Sequence, residues 1–200
     1  EGVRAAHPDR WMGAGGTPTT GAALTGEVVL SPSQFESALQ CPLRWFLTTI
    51  GADGPSTAAA SLGTLVHALA EDNPHGSAQE LAEALEARIE ELGYNLDTWA
   101  GRHADRRAHA IVDNLASYMA GVPGLVEVER SVEAQVEGVT IRGRMDRLEH
   151  VDEGVRVTDL KTGKSGHSAK TVPDNPQLAA YQMALLASGE RVAGARIALL

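Results

Sequence analysis

Three residues in the second half of the chain, Asp146, Asp159 and Lys161, have the side chains that hydrolysis of a phosphodiester bond uses. Two carboxylates can hold Mg²⁺ through oxygen ligands while the ion keeps several waters. A metal-bound water is a better nucleophile than free water, and the metal polarises a phosphoryl oxygen. A neighbouring ammonium can orient that water and offset developing charge. This chemistry requires the three side chains to lie close together in the fold.

A predicted hairpin with its turn between Asp152 and Glu153 brings the two acids together. The register that this turn imposes pairs apolar with apolar residues and acid with base: Met145 with Leu160, Leu148 with Val157 and Glu149 with Arg156. The same register places Asp146 opposite Asp159, with Cβ atoms about 4.5–5.5 Å apart. Lys161, two residues beyond Asp159, lies on the same face. Because like charges opposed across a ladder are destabilising, a cation between the acids is expected.

The specificity of this signal comes from the combination, since Asp-x-Lys alone is weak and a single acid is usually part of a solvated strand face. The chain has only three lysines, and Lys161, Lys164 and Lys170 all fall within ten residues. A basic loop beside the acids suits a phosphate backbone. An ordinary solvated loop explains the same residues.

The elements that must position these residues begin with helices. The tetrapeptide at residues 31–34 predicts a helix start, with Ser31 as N-cap, Pro32 at the first helical position and Gln34 reaching back. Pro42 is expected to divide this helix in two. Apolar residues at helical spacing predict further helices over residues 62–70, 78–92 and 98–120.

The pattern changes to period 2 near residue 126, which indicates strands. Strands are predicted over residues 126–137, 139–149, 155–161 and 196–200, with a helix over residues 177–187. Helices, three meandering strands, a helix and a strand predict an α+β or mixed α/β domain over residues 28–200. Residues 1–27, rich in glycine and proline, are predicted to be a flexible lead-in or linker.

Composition limits the function classes. A net charge of −9 argues against a protein that coats nucleic acid over its whole surface. The single cysteine excludes an intrachain disulfide framework and favours a reducing, cytoplasmic location. No apolar run reaches the length of a membrane span, and no signal peptide is found. The chain begins with Glu1, which suggests a fragment of a longer protein.

Five short segments in order carry a resemblance to the RecB-type nuclease branch of the PD-(D/E)xK superfamily. They are residues 33–46 (SQFESALQCPLRWF, like "S…Y..CP..FF"), 63–67 (GTLVH, like "GT..H"), 143–147 (GRMDR, like "G.iDR"), 157–163 (VTDLKTG, like "v.DyKTG") and 177–181 (QLAAY, like "QL..Y"). Each is modest alone, but the five together span most of the predicted domain. The resemblance implies a restriction-endonuclease-like core, with a central mixed sheet flanked by helices.

The resemblance also implies roles for the site residues. Asp146 and Asp159 would be metal ligands, Lys161 the catalytic lysine, and His67 a further ligand from the preceding helix. Taken alone, a histidine in an apolar helix is more often a satisfied core residue, and imidazole is softer than Mg²⁺ prefers. The implied cofactor is therefore Mg²⁺ or Mn²⁺.

Further residues are implicated around this centre. Gln177 and Tyr181 lie four residues apart on one helix face, where they would position the phosphate; a helix that only packs on the sheet explains them equally. The residues expected to contact DNA are Arg144, Arg147, Lys164 and Lys170.

Cys41 is ambiguous. In iron–sulfur members of this family the cysteine of "CP" acts with three others near the C-terminus, so a [4Fe–4S] cluster requires a tail that this sequence lacks. On the sequence alone, Cys41 is predicted to be a small buried helix residue.

Such domains end the helicase-nuclease chains of bacterial double-strand-break repair, and the composition points to an AdnAB- or AddAB-like type. The expected function is a metal-dependent deoxyribonuclease, an exonuclease, with DNA and helicase domains as partners. The alternative is a non-catalytic nuclease-like module that binds DNA or holds a complex together, although such modules usually lose the acids or the lysine. An unrelated metal-dependent hydrolase is a third interpretation.

Overall fold

The computed structural model describes residues 28–51, 58–163 and 172–200. The predicted lead-in at residues 1–27, Lys164 and Lys170 lie outside these ranges. The helices are α1 (Pro32–Gln40), α2 (Pro42–Thr49), α3 (Ala58–Asp72), α4 (Ala78–Arg88), α5 (Trp99–Ala120) and α6 (Pro176–Ala187). The strands are β1 (Val28–Leu30), β2 (Val126–Val136), β3 (Val139–Val151), β4 (Gly154–Lys161) and β5 (Val192–Leu199), and short 3-10 turns span Ile89–Leu92 and Val172–Asp174.

The helix start predicted at Ser31 is confirmed. Its side chain accepts from the backbone N–H of Gln34, and the Gln34 side chain accepts from the backbone N–H of Ser31. Pro42 begins α2 directly after α1, so the predicted division is also confirmed. At α1 the capping residues satisfy backbone groups that the first helical turn leaves unpaired. At α2 no side chain caps the helix, and Pro42 suits the first helical position because it has no N–H to leave unpaired.

The sheet is mixed, and β3 is its central strand. On one edge, β2 pairs with β3 in antiparallel fashion from Val126–Glu149 to Val136–Val139. The other edge is shared: β1 pairs in parallel at residues 139–141 of β3, and β4 pairs antiparallel at residues 147–151. The order is completed by β5, parallel to β4. Residues 142–146 of β3 therefore form a gap on this edge, between β1 and β4.

Helices cover both faces of the sheet, as predicted for a mixed α/β domain. One core joins α3, α4 and α5 with Leu160 and Ala198. The other packs α6, together with Phe35 of α1, on β2, β3 and β4. No helix among the described residues is long and apolar enough to cross a membrane.

Gly143 lies in the gap because α1 begins against it. A Cβ built on Gly143 would lie 2.6 Å from Cδ of Pro32, the first residue of α1, and 3.5 Å from the ring of Tyr181. The rigid proline ring cannot turn away from such a contact. Glycine at this position therefore lets α1 and α6 approach the open edge of β3.

Gly143→Ala is expected to lower the free energy of unfolding by about 1–3 kcal/mol, the usual effect of overpacking a tight contact. The matched control is Gly121→Ala at the end of α5, where φ is −83° and the nearest atom to a new Cβ is 3.4 Å away. That change should leave stability almost unaltered. Urea denaturation of both variants measures the difference, and equal midpoints would contradict the proposed contact.

Cys41 corrects a prediction. It lies between α1 and α2 with extended backbone, and its side chain is exposed rather than buried. The apolar residues that follow it at helical spacing are also largely exposed: Leu43, Phe46, Leu47 and Ile50. These apolar side chains at α2 are therefore not covered by the other described residues.

Candidate metal centre and active site

Asp146 occupies the end of the gap in β3. The predicted register is confirmed where Leu148 pairs with Val157 and Glu149 with Arg156. The ladder ends at Arg147–Thr158, one residue before the two acids. The backbone N–H of Leu160 then donates to Oδ2 of Asp146 at 2.7 Å, instead of continuing the ladder. The strands therefore separate at Asp146, and its second carboxylate oxygen is left for another ligand.

His67 reaches this second oxygen from α3. Its Nδ1 lies 3.3 Å from Oδ1 of Asp146, and its side chain is one third exposed. Leu65 and Leu69, on the same helix, are buried in the core. The hydrogen bond with Asp146 raises the pKa of His67 above its ordinary value, although burial acts in the opposite direction. His67 is therefore directed at the acid and is not a core residue enclosed by leucines.

Glu129 of β2 joins these two residues, and the sequence had not suggested it. One ligand atom each from His67, Glu129 and Asp146 lie within 4.8 Å of one another. Glu129 has a φ of 49°, unusual for a residue with a side chain, between the pairs Val128–Arg147 and Arg130–Met145. Those flanking pairs show that Glu129 faces Asp146 across the two strands. The same register argument, applied to the hairpin of β2 and β3 with its turn at Gly138, would have placed Glu129 opposite Asp146.

The donor set suits a divalent cation. Two carboxylates supply the hard oxygen ligands that Mg²⁺ and Mn²⁺ take, and an imidazole is accepted better by Mn²⁺. All three residues are half-buried, so an ion there would lose part of its hydration without being sealed from substrate. The residues present thus fit a metal ion of this class.

Asp159, which is predicted to be a metal ligand, is held by Lys161 and Gln177. It is almost completely buried, with Lys161 Nζ 2.9 Å from its Oδ2, and it accepts from Nε2 of Gln177 at Oδ1, 2.9 Å away. Burial raises the pKa of Asp159 above its ordinary value, the charge of Lys161 opposes the rise, and the charge of Asp146 adds to it. Asp159 is thus close enough to Asp146 to feel its charge while being held by the lysine.

Lys161 is positioned by two residues. Besides Asp159, its Nζ donates to Oε1 of Gln177 at 3.3 Å. Gln177 is buried near the start of α6, so it bridges the acid and the lysine with its two amide atoms. The Lys161 side chain, one third exposed, is held at the end of β4.

Tyr181, one turn after Gln177 on α6, supports the backbone of the gap. Its hydroxyl donates to the carbonyl of Arg144 at 2.6 Å. Burial, followed by the charges of Asp146 and Asp159, raises the pKa of Tyr181. A hydroxyl that stays protonated and bonded to β3 fixes the position of Asp146, two residues further on.

The two arginines predicted to contact DNA differ. Arg144 is exposed and forms ion pairs with Glu129, 2.5 Å away, and Glu71, 3.6 Å away. Arg147 is completely buried, which corrects the prediction for this residue. It donates to the carbonyl of Pro74 and lies 5.7 Å from the ring centroid of Tyr118, and burial lowers its pKa. A side chain in this position supports the core and is shielded from a nucleic acid.

Known proteins were compared with this chain by structure and by sequence. The chain is similar to a crystal structure of a "putative exonuclease" from Eubacterium rectale, with a TM-score of 0.51 and 14% identity over 84% of this chain. It spans 66% of that protein's length, and at this identity the likeness concerns the fold alone. No match was found among curated protein sequences. A family model described as the PD-(D/E)XK nuclease superfamily matches residues 29–200. The chain therefore belongs to the PD-(D/E)XK nuclease superfamily.

Proposed function

We propose that the chain hydrolyses phosphodiester bonds of DNA with Mg²⁺ or Mn²⁺. The observation that carries this proposal is the meeting of two groups of side chains at the gap in β3. One is the cluster of His67, Glu129 and Asp146, whose ligand atoms lie within 4.8 Å of one another. The other is Lys161 with its buried partner Asp159, 2.9 Å apart.

The cation would be held by Asp146, Glu129 and His67, with Asp159 as the further acid of the centre. When bound, such an ion polarises the phosphoryl oxygen and makes a bound water more acidic. The chain's own contribution is to fix the ligands. Leu160 orients the Asp146 carboxylate through its N–H, and Tyr181 holds the backbone of β3 beside it. A second layer of this kind is needed to keep ligand geometry.

Lys161 would act on the reacting phosphate. Asp159 and Gln177 hold its ammonium in one position, so little reorganisation is needed when negative charge develops. Burial raises the pKa of Asp159 and so disfavours its charged form, and the charge of Lys161 opposes that rise and keeps the pair together. The proposed division of roles is therefore that Asp159 and Gln177 position the lysine, and the lysine stabilises the transition state.

The wider context is proposed on the sequence resemblance. We infer an exonuclease that acts as the nuclease module of a bacterial helicase-nuclease in double-strand-break repair, in the cytoplasm. The presence of Asp146, Asp159 and Lys161 together favours the enzyme over a non-catalytic binding module. A [4Fe–4S] cluster at Cys41 stays a prediction that requires three further cysteines outside this sequence.

The proposal is tested by removing the metal. The purified protein is expected to shorten a labelled DNA strand in Mg²⁺ or Mn²⁺, and EDTA should abolish the reaction. Readdition of Mn²⁺ should restore it. A gel time course with single-stranded and duplex substrates, labelled at either end, also gives polarity. Cleavage that persists unchanged in EDTA would contradict the metal-dependent mechanism.

A further inference from the structure

A groove of about 420 Å³ lies along α5, outside the centre described above. Its helix side is formed by His103, Arg106, Arg107 and Asn114. Its other side is formed by Thr162 and Gly163, which directly follow Lys161. The groove therefore begins where β4 ends.

The charged side chains that line the groove are basic, on a protein whose net charge is −9. Two arginines and a histidine line it, and none of the described residues that line it is acidic. Asp105 and Asp113, the acidic residues of α5, are not part of the lining. A concentration of one sign of charge in a concave surface attracts a ligand of the opposite sign. The charge of the lining thus fits an anion such as a phosphate group.

Trp99 lies next to the groove, against His103 of its lining. It is the first residue of α5, its side chain is 70% exposed, and its ring stacks on His103 with centroids 5.2 Å apart and planes 3° from parallel. His103 and Arg106 follow at i+4 and i+7, so the three side chains lie on one face of the helix. An exposed indole held flat by a neighbouring ring is a platform on which a base can stack.

Two contacts tie the groove to the active site. Arg107 donates through Nη2 to the carbonyl of Thr162 at 2.8 Å, which joins α5 to the end of β4. A Cβ on Gly63 of α3 would lie 3.2 Å from the Thr162 hydroxyl, and His67 is one helical turn beyond Gly63. A nucleic-acid strand that leaves the metal centre past Thr162 would therefore enter the groove.

We propose that this groove binds the single-stranded part of the nucleic-acid substrate adjacent to the cleaved bond. Arg106 and Arg107 contact phosphates, and Trp99 stacks on a base. A single strand is favoured over a duplex because Trp99 needs the open face of a base, which a duplex keeps stacked. The inference rests on the proposed nuclease function for its biological meaning, but the binding itself does not require cleavage.

The test is equilibrium binding of a fluorescent oligothymidylate of about 12 nucleotides, within the range of known single-strand sites. EDTA is present, so that the DNA stays intact. Trp99→Ala is expected to weaken binding about tenfold, and Trp99→Phe should restore most of it because a phenyl ring also stacks. Arg106→Ala should weaken binding and reduce the slope of log K against log salt by about 0.7, as for one phosphate contact to a single strand.

Arg191→Ala is the matched charge control. Arg191 is an exposed arginine whose carbonyl bonds to Val155, at the opposite end of β4 from the groove. It should bind as the parent does, and all variants should show parental circular dichroism.

Parental affinity in both Trp99→Ala and Arg106→Ala would overturn the proposal. So would stronger competition by a duplex than by the single strand, or Arg106-dependent binding of polyglutamate with no binding of DNA. Failure of the parent to cleave any DNA in Mg²⁺ or Mn²⁺ would instead count against the proposed function, and the binding result would stand apart from it.

Discussion

Lys161→Ala is expected to cleave DNA at least about 100-fold more slowly than the parent at saturating DNA, while binding it almost as tightly in the presence of Mg²⁺. A donor fixed towards charge that develops in the transition state typically accounts for a factor of this size. Its removal lowers turnover more than ground-state binding. A lysine that only contacts phosphate would show the reverse, with weaker binding and a flatter salt dependence.

The geometry makes the conservative variant informative. Lys161 fits between Asp159 and Gln177, with its ammonium 3.2 Å from Oδ1 of Asp159 and 3.3 Å from Oε1 of Gln177, a space for a compact point charge. Lys161→Arg keeps the charge but carries a wide planar group, so it should rescue little. Lys164→Ala and Lys170→Ala are controls from the following segment, where weaker binding and a modest change in turnover are expected.

Single-turnover cleavage and equilibrium binding on one substrate separate these outcomes. Because Lys161→Ala leaves Asp159 buried without its cation, thermal denaturation must show that the variant is folded. Cleavage by Lys161→Ala at the parental rate once DNA is saturating would contradict a catalytic role.

Local rules explain why much of the fold could be predicted. The cap at Ser31 and the break at Pro42 depend on residues within one helical turn, so the sequence contains all the information. The hairpin register likewise depends on a short turn and on side-chain pairing, and it correctly paired Leu148 with Val157. β1 was missed because three residues are too few for a period, and its parallel pairing to β3 spans more than a hundred residues of sequence.

Two site residues show what local patterns leave out. Glu129 looked like one more acid of a solvated strand face, and only its position opposite Asp146 on β3 distinguishes it from Glu127 and Glu133. Arg147 adjoins Asp146 in a motif that resembles a nuclease signature, but side chains alternate along a strand. It therefore lies on the face of the sheet that carries Tyr118 of α5, whereas Leu148 lies on the other face, in the core formed with α6. Which face of the sheet α5 covers depends on tertiary packing, and the local pattern of β3 does not contain that information.

Asp146→Asn is expected to abolish both metal binding and cleavage while leaving the fold intact. The asparagine oxygen can still accept the Leu160 N–H, but the charge between His67 and Glu129 is lost. Changing residues that only support a ligand reduces metal affinity about 10- to 100-fold, so losing a ligand should reduce it further. In EDTA the variant should remain folded, although it loses the charged hydrogen bond that Asp146 makes with His67.

The measurement is the shift of the melting temperature caused by Mn²⁺, which does not depend on cleavage. A ligand at 100 times its dissociation constant stabilises the native state by about 2.7 kcal/mol, so the parent should show a clear rise. The rise should disappear in Asp146→Asn and shrink in Glu129→Gln.

Glu133→Gln is the matched control, because Glu133 also lies on β2 and pairs with an arginine of β3, at 2.7 Å, but is outside the cluster. It should keep the parental shift. An equal Mn²⁺ shift in the parent, Asp146→Asn and Glu129→Gln would place the ion elsewhere, and with it the chemistry that we assign to the gap in β3.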